Sequence, residues 1–166
     1  MQVNIALLTV TDTRTIDTDK SGSILVKKIK EQNHKLIDRK LVKDEKNLIK
    51  KILSEWIKLD NIDVIITTGG TGLTGRDITP EAVKDLGEKE IPGFGELFRE
   101  LSYKTIGTSA MQSRACAVLA NGKYIFVLPG SSGGVTDAWE GILKYQLDIN
   151  HKPCNFVELF PRLKEK

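Results

Sequence analysis

Apolar runs of two kinds alternate along the chain. Val3 to Val10 is almost unbroken and of strand length, which predicts a central strand covered on both faces. Asp19-Lys20-Ser21-Gly22 then leads into a helix running to about Gln32, with Ile24, Leu25 and Ile29 on its inner face. From Lys35 to Val42, the apolar residues Leu36, Ile37, Leu41 and Val42 alternate with charges, which suits a strand nearer the sheet edge. Asp44 is placed to cap the next helix, whose inner face is read as Leu48, Ile49, Ile52, Leu53, Trp56 and Ile57. Ile62 to Ile66 is a further buried strand.

The second half of the chain is less regular. Thr79 reads as an N-cap with Pro80 in the first helical position and Glu81 in the first turn, and this helix ends near Gly87. Ile91-Pro92-Gly93-Phe94-Gly95-Glu96 makes a sharp turn into a helix carrying Leu97, Phe98 and Leu101. A further helix is expected to hold Met111, Ala115, Val118 and Leu119. Lys123 to Leu128 is the last clear strand, and a final helix carries Ala138, Trp139, Ile142 and Leu143. The tail from His151 to Pro161 has no clear period and is expected to pack along the domain or against a neighbouring subunit. Strands alternating with helices indicate an α/β fold with a mostly parallel sheet covered on both faces.

Polar chemistry concentrates where strands end. Thr67 to Glu81 follows a buried strand and is crowded with glycine and threonine, together with Arg76 and Asp77. Glycine permits positive φ and close approach of a ligand to backbone N–H groups, and threonine hydroxyls can donate to anionic oxygens, so this stretch suits a phosphate cradle. Thr11-Asp12-Thr13-Arg14-Thr15 leaves the first strand in the same way, and Pro129-Gly130-Ser131-Ser132-Gly133-Gly134 leaves the last. Open α/β sheets bind ligands at that edge. Two glycine-rich loops, each between an apolar strand and a helix, imply a shared site.

Composition adds limits. The 166 residues make one domain, residues 1–166, of a size that buries roughly 70% of its unfolded surface. A net charge of +3 is too mild to argue for nucleic acid or a membrane surface. Lysines between Lys27 and Lys51 interleave with Glu31, Asp38, Asp44 and Glu45 as a solvated helical surface would. Cys116 and Cys154 lack metal-ligand spacing and read as free thiols. The amino-terminal stretch has neither a basic leader nor a cleavage site, and no apolar run approaches the roughly 18 residues of a membrane helix, so a cytoplasmic location is expected.

Gly70-Thr71-Gly72-Leu73-Thr74-Gly75 also spells G-x-G-x-x-G after a strand. In a nicotinamide-binding fold the glycine turn opens the helix directly and an acid about 20 residues on ends the next strand. Here Pro80 puts the helix well past the third glycine, and no strand precedes Glu88 or Glu90. A nucleotide-hydrolase loop is excluded by the absence of Gly-Lys-Ser or Gly-Lys-Thr.

The stretch from Thr67 through Ala82, followed by Ile91-Pro92-Gly93-Phe94-Gly95-Glu96 and Pro129-Gly130-Ser131, resembles the signature of the molybdenum cofactor biosynthesis family that includes molybdopterin adenylyltransferases. Gly107 to Ala115 and Lys152 to Phe156 resemble its protein B branch. The resemblance implies a three-layer α/β/α sandwich, a molybdopterin-binding domain, and assembly into trimers or hexamers, with other proteins of the pathway as possible partners. It also implies adenylylation of molybdopterin by Mg-ATP with release of pyrophosphate. By the same resemblance Asp77 organises Mg²⁺ and the triphosphate, and Asp44 is a second active-site acid. Gly69, Gly70, Thr71, Gly72 and Thr79 bind phosphate, and Glu81 binds beside them, supporting the metal through water or capping its helix. Ser113, Pro129, Gly130 and Ser131 line the pterin side, and Asp12 and Thr13 the nucleotide side. One departure stands out: the adenylyltransferase branch commonly carries proline and an amide residue where this chain has Ser131-Ser132-Gly133-Gly134. A pterin-binding or delivery protein without adenylylation activity therefore stays open beside the enzyme.

Overall fold

Alternate residues of the first strand point into two different cores. In the computed structural model, which describes residues 1–165, β1 (Asn4–Val10) sends Ile5 and Leu7 to one face and Ala6, Leu8 and Val10 to the other. All five are buried, which is why the run is apolar without alternation. The first core is closed by α1 (Lys20–Glu31), α4 (Pro92–Ile106) and α5 (Ser132–Ala138) through Leu25, Ile29, Phe94, Phe98 and Val135. Across the sheet, α2 (Lys46–Ile57) and α3 (Thr79–Lys84) close the second with Ile49, Leu53, Trp56, Ala82 and Val83. The result is a three-layer α/β/α sandwich.

The sheet runs β2-β1-β3-β6-β5-β4, where β2 is Lys35–Val42, β3 Val64–Thr68, β4 Lys89–Glu90, β5 Cys116–Ala120 and β6 Lys123–Leu128. β2, β1, β3 and β6 are mutually parallel; β5 and β4 add an antiparallel edge. β2 lies at the opposite edge, as its alternating charges predict. α5 continues through a wide helical turn, Trp139–Leu143, into the short α6 (Lys144–Gln146). The tail packs along the domain: the Phe156 and Phe160 rings lie 4.6 and 5.7 Å from that of Tyr124, and Val157 is buried.

Four sequence expectations need correction. The helix expected to hold Met111, Ala115, Val118 and Leu119 does not form. Gly107, at φ 59°, ends α4, a tight turn spans Gly107–Gln112, and the chain then enters β5. Ala117 and Leu119 face one core while Val118 and Ala120 face the other, a period of two, and Met111 is 81% exposed. The inner faces of α2 and α4 are narrower than expected, because Leu48 and Leu97 are exposed. Asp44 does not cap α2: Glu45 occupies the N-cap position, with no side-chain cap bond. Thr79 does not cap α3 either, since Ile78 occupies that position and the Thr79 side chain is buried. Both Asp44 and Thr79 turn toward Gly70 instead.

One buried cluster ties the sheet to α1. Asp19 caps the helix by accepting from Gly22 N–H at 2.9 Å, and its other oxygen accepts from Thr9 Oγ1 at 2.6 Å and Arg39 Nη2 at 2.9 Å. Burial pushes the carboxyl upward, but these three bonds outweigh it and the pKa lies below the usual carboxylate range. The folded state therefore favours the ionised form. That contribution is complete above the unfolded value near pH 4 and is lost as acid is added down through the lowered pKa. Asp19→Ala is expected to cost about 2–4 kcal/mol, from the lost cap and the stranded Thr9 hydroxyl and Arg39. Urea unfolding at pH 7 measures it, and Asp19→Asn should flatten the acid limb of stability against pH.

Candidate active site

The strand order reverses direction between β1 and β3: the connection after β1 leads to β2 on one side, and that after β3 leads toward the strands on the other. Neighbouring loops part at such a point and leave a crevice beyond the carboxyl ends of the strands. Here it is a cavity of about 340 Å³, floored by Thr9, Val10 and Thr68 and rimmed by Asp12, Thr13, Asp44, Gly69, Gly70, Asp77 and Gly130. The loops after β1, β2, β3 and β6 all reach it.

The two glycine-rich loops touch. Thr68 Oγ1 donates to Pro129 O at 2.8 Å, Gly69 N–H donates to Leu128 O at 3.1 Å, and a Cβ on Gly130 would stand 3.2 Å from Gly69 Cα. Gly69 has φ 98°, and a Cβ there would fall 2.2 Å from the Val10 carbonyl oxygen. No side-chain rotation relieves a clash with backbone. Gly69→Ala is therefore expected to lower stability by about 2 kcal/mol or more, read as a fall in Tm, because it adds positive-φ strain to overpacking.

Gly70, at φ 66°, is packed as closely. Its Cβ would stand 2.2 Å from Thr79 Oγ1 and 2.9 Å from Asp44 Oδ1. Thr79 N–H donates to Gly70 O at 3.1 Å, while the buried Thr79 hydroxyl has no partner among the described residues. Thr71 is buried and Gly72 partly buried, and a Cβ on Gly72 would meet Asp77 Oδ2 at 2.7 Å. At Gly70 and Gly72 the backbone thus lies against the carboxylates of Asp44 and Asp77 with no room for a side chain.

The acids sit in different fields. Asp77 Oδ2 accepts from Thr74 N–H at 2.9 Å and from Thr74 Oγ1 at 2.6 Å. The hydroxyl bond, ahead of the counteracting effect of burial, holds its pKa below the ordinary carboxylate value. Asp12 accepts a two-nitrogen fork from Arg76 and the Asp44 N–H, and its pKa is lowered, first by Arg76. Asp44 moves the other way: burial, then the nearby Asp12 charge, pushes its carboxyl up, with Arg76 offsetting part and Asp77 adding to it. Asp44 is the acid whose ionised form this site serves least well.

A second cavity, of about 250 Å³, opens beside the first and is lined by Ser113, Pro129 and Ser131 together with Phe98 and Ile106. Gly130 faces the first cavity while Pro129 and Ser131 face the second, so a single loop divides them. Glu81 borders neither cavity lining. It pairs instead with Arg114 Nη1.

Arg114 was not singled out from the sequence, and it organises more of the site than any other side chain. Its Nε donates to Gly72 O at 2.8 Å, its Nη2 to Asp77 O at 2.8 Å, and its own N–H to Thr71 O at 3.4 Å. One guanidinium thereby ties the end of the glycine turn at Gly72 to Asp77. Its only sequence signal was its place after Ser113, inside the Gly107 to Ala115 stretch. Arg76 was noted beside Asp77, but its partner is Asp12, across the cavity mouth.

A doubly wound sheet whose switch point opens on two glycine-rich loops with Asp44 and Asp77 beside them defines an α/β protein with a ligand-sized crevice at the carboxyl edge of its strands. More particularly, the chain belongs to the family described as probable molybdopterin binding domain, whose pattern it matches over residues 6–148. Molybdenum cofactor biosynthesis protein B of Escherichia coli K12 is 45% identical over 161 residues, 97% of this chain and 93% of that one. The Staphylococcus aureus MRSA252 protein of the same name is 50% identical over 149 residues, covering 88% of each. A crystal structure of molybdenum cofactor biosynthesis protein B superposes with a TM-score of 0.90 at 40% identity, covering 100% of this chain and 98% of that one. The tungsten cofactor synthesizing protein of Pyrococcus furiosus gives 0.77 at 35% identity over 86% and 91%.

Proposed function

We propose that this protein acts in molybdenum cofactor biosynthesis, binding molybdopterin and transferring adenylate to it from Mg-ATP. The observation that carries this reading is the pair of cavities sharing the Pro129-Gly130-Ser131 loop, one polar with Asp44, Asp77 and the glycine turn, the other largely apolar. The nucleotide phosphates occupy the first, with Asp12 and Thr13 on the nucleotide side, and the pterin occupies the second against Ser113, Pro129 and Ser131. The terminal phosphate of the pterin then meets the α-phosphate of ATP over Gly69 to Gly72.

The chain's residues suit a magnesium ion. Asp44 is an acid destabilised by burial and by like charge, which a cation relieves. Among the described residues no three His, Cys, Asp or Glu side chains are grouped to hold a metal by themselves. Mg²⁺ takes one or two carboxylates and completes its shell with phosphate oxygens and water, so in this reading the nucleotide supplies the remaining ligands. Asp77 and Asp44 would hold it, and it supplies charge neutralisation along the triphosphate.

The reaction forms a bond from a pterin phosphate oxygen to the ATP α-phosphorus and breaks the bond to the departing pyrophosphate. Such transfers depend on positioning and electrostatics more than on covalent help. The backbone of Gly70 to Gly72 approaches the phosphates closely, the unpartnered Thr79 hydroxyl sits behind Gly70, and Arg114 fixes the loop. Assembly into trimers or hexamers is part of the same reading, supported by exposed Tyr103, Ile106 and Met111. The departure at Ser131-Ser132-Gly133-Gly134 favours the second reading, a binding or delivery protein without transfer. Calorimetric titration separates them: saturable Mg-ATP binding that weakens at least about tenfold in Asp44→Asn supports the enzyme. Molybdopterin binding with no nucleotide binding supports delivery.

A further inference from the structure

The second cavity has one charged residue in its lining. Phe98, Ser102 and Thr105 face it from successive turns of α4, Pro129 closes one end, and Asp137 enters from α5. Asp137 is half-buried, and no Lys, Arg or His side chain pairs with it among the described residues. One turn earlier on α5, no atom lies within 4 Å of where a Cβ on Gly133 would stand, so the space beside the carboxylate is open. A carboxylate in a largely apolar wall presents two acceptor oxygens to the donors of a ligand bound there. The cavity volume, about 250 Å³, lies below the range of drug-sized sites and suits a flat bicycle rather than a whole nucleotide.

We propose that Asp137 is the specificity-determining residue for the heterocycle, its two oxygens accepting the ring N–H and the adjacent amino group of a 2-amino-4-oxo pteridine while Phe98 lines the pocket that holds the rings. The inference rests on the reading of this cavity as the pterin side. Two adjacent donors on one planar edge match a carboxylate in the bidentate manner by which guanidinium does, and a 2,4-dioxo edge, with a carbonyl in place of the amino group, sets an acceptor against it. An amide at position 137 offers one acceptor and one donor, which fits the dioxo edge instead.

The experiment is a fluorescence titration of the full chain with two probes, the phosphate esters of 6-hydroxymethylpterin and of 6-hydroxymethyllumazine, in the wild type and in Asp137→Asn. The wild type is expected to prefer the pterin by roughly 10- to 100-fold, and the variant to lose or invert that preference while keeping its Tm. A wild type that binds the two esters equally overturns the inference without any variant, as does a preference that survives Asp137→Asn; in both cases pterin binding itself stands. If neither ester binds the wild type, the pterin reading of the cavity fails and the inference with it.

Discussion

Asp77→Asn is expected to lower the rate of pyrophosphate release by about 10²- to 10³-fold, the loss that accompanies removal of one preorganised electrostatic group from a transfer site. The substitution is unusually clean here. Both Thr74 bonds go to one oxygen of Asp77, so an amide oxygen can accept them and keep the turn closed while the charge is removed. Tm should move little. A steady-state assay with a melt on the same preparation separates lost charge from lost fold. On the proposed reading Asp44→Asn should act differently, weakening nucleotide affinity as well as rate, because burial and the Asp12 charge disfavour the ionised form and a bound cation would relieve both.

Arg114→Ala carries the second large effect and acts through position. It strands the Gly72 and Asp77 carbonyls and the Glu81 carboxylate together, with an expected stability loss of about 2–4 kcal/mol. The glycine loop is then free to shift, and a displacement on the order of 1 Å at a transfer site costs about 10²-fold in rate. Arg114→Lys distinguishes the two roles. Lysine can answer Glu81 but cannot fork to Gly72 and Asp77 at once, so Tm should recover in part while turnover stays low. Equal recovery of both would make Arg114 a charge partner only.

The legible part of the fold was the part whose faces are simple. β1, β3 and β6 are buried on both sides and read as unbroken apolar runs; α1 and α2 carry one apolar stripe each. β5 was misread as helix because Ala115, Ala117 and Ala120 alternate without contrast, and small residues carry little periodic signal. A better cue lay just beyond. Asn121 and Gly122 both have positive φ, at 48° and 72°, and an Asn-Gly pair between apolar runs marks a two-residue hairpin.

The candidate site was legible as loops and illegible as pairings. Glycine and threonine after a strand locate the carboxyl edge, so Asp12, Asp44, Gly69, Gly70, Asp77 and Gly130 could be placed near one another from topology alone. Which way each acid's pKa moves depends on surroundings that the sequence does not announce: Arg76, 64 residues away, for Asp12, burial for Asp44, and for Asp77 a turn that brings Thr74, three residues back, onto its carboxylate. Arg114 reaches back 42 residues to Gly72, a contact that no local pattern announces. Capping was misassigned for a related reason. Asp44 and Thr79 are good caps by residue type, but tertiary packing against Gly70 drew both side chains away from their helices.

The most direct measurement is turnover: purified protein with molybdopterin, ATP and Mg²⁺, following adenylylated pterin and pyrophosphate together, with Asp77→Asn in parallel. Both products are expected in equal amounts from the wild type and almost none from the variant. Tight molybdopterin binding with neither product formed would contradict the transfer and leave the two cavities as a binding and delivery site.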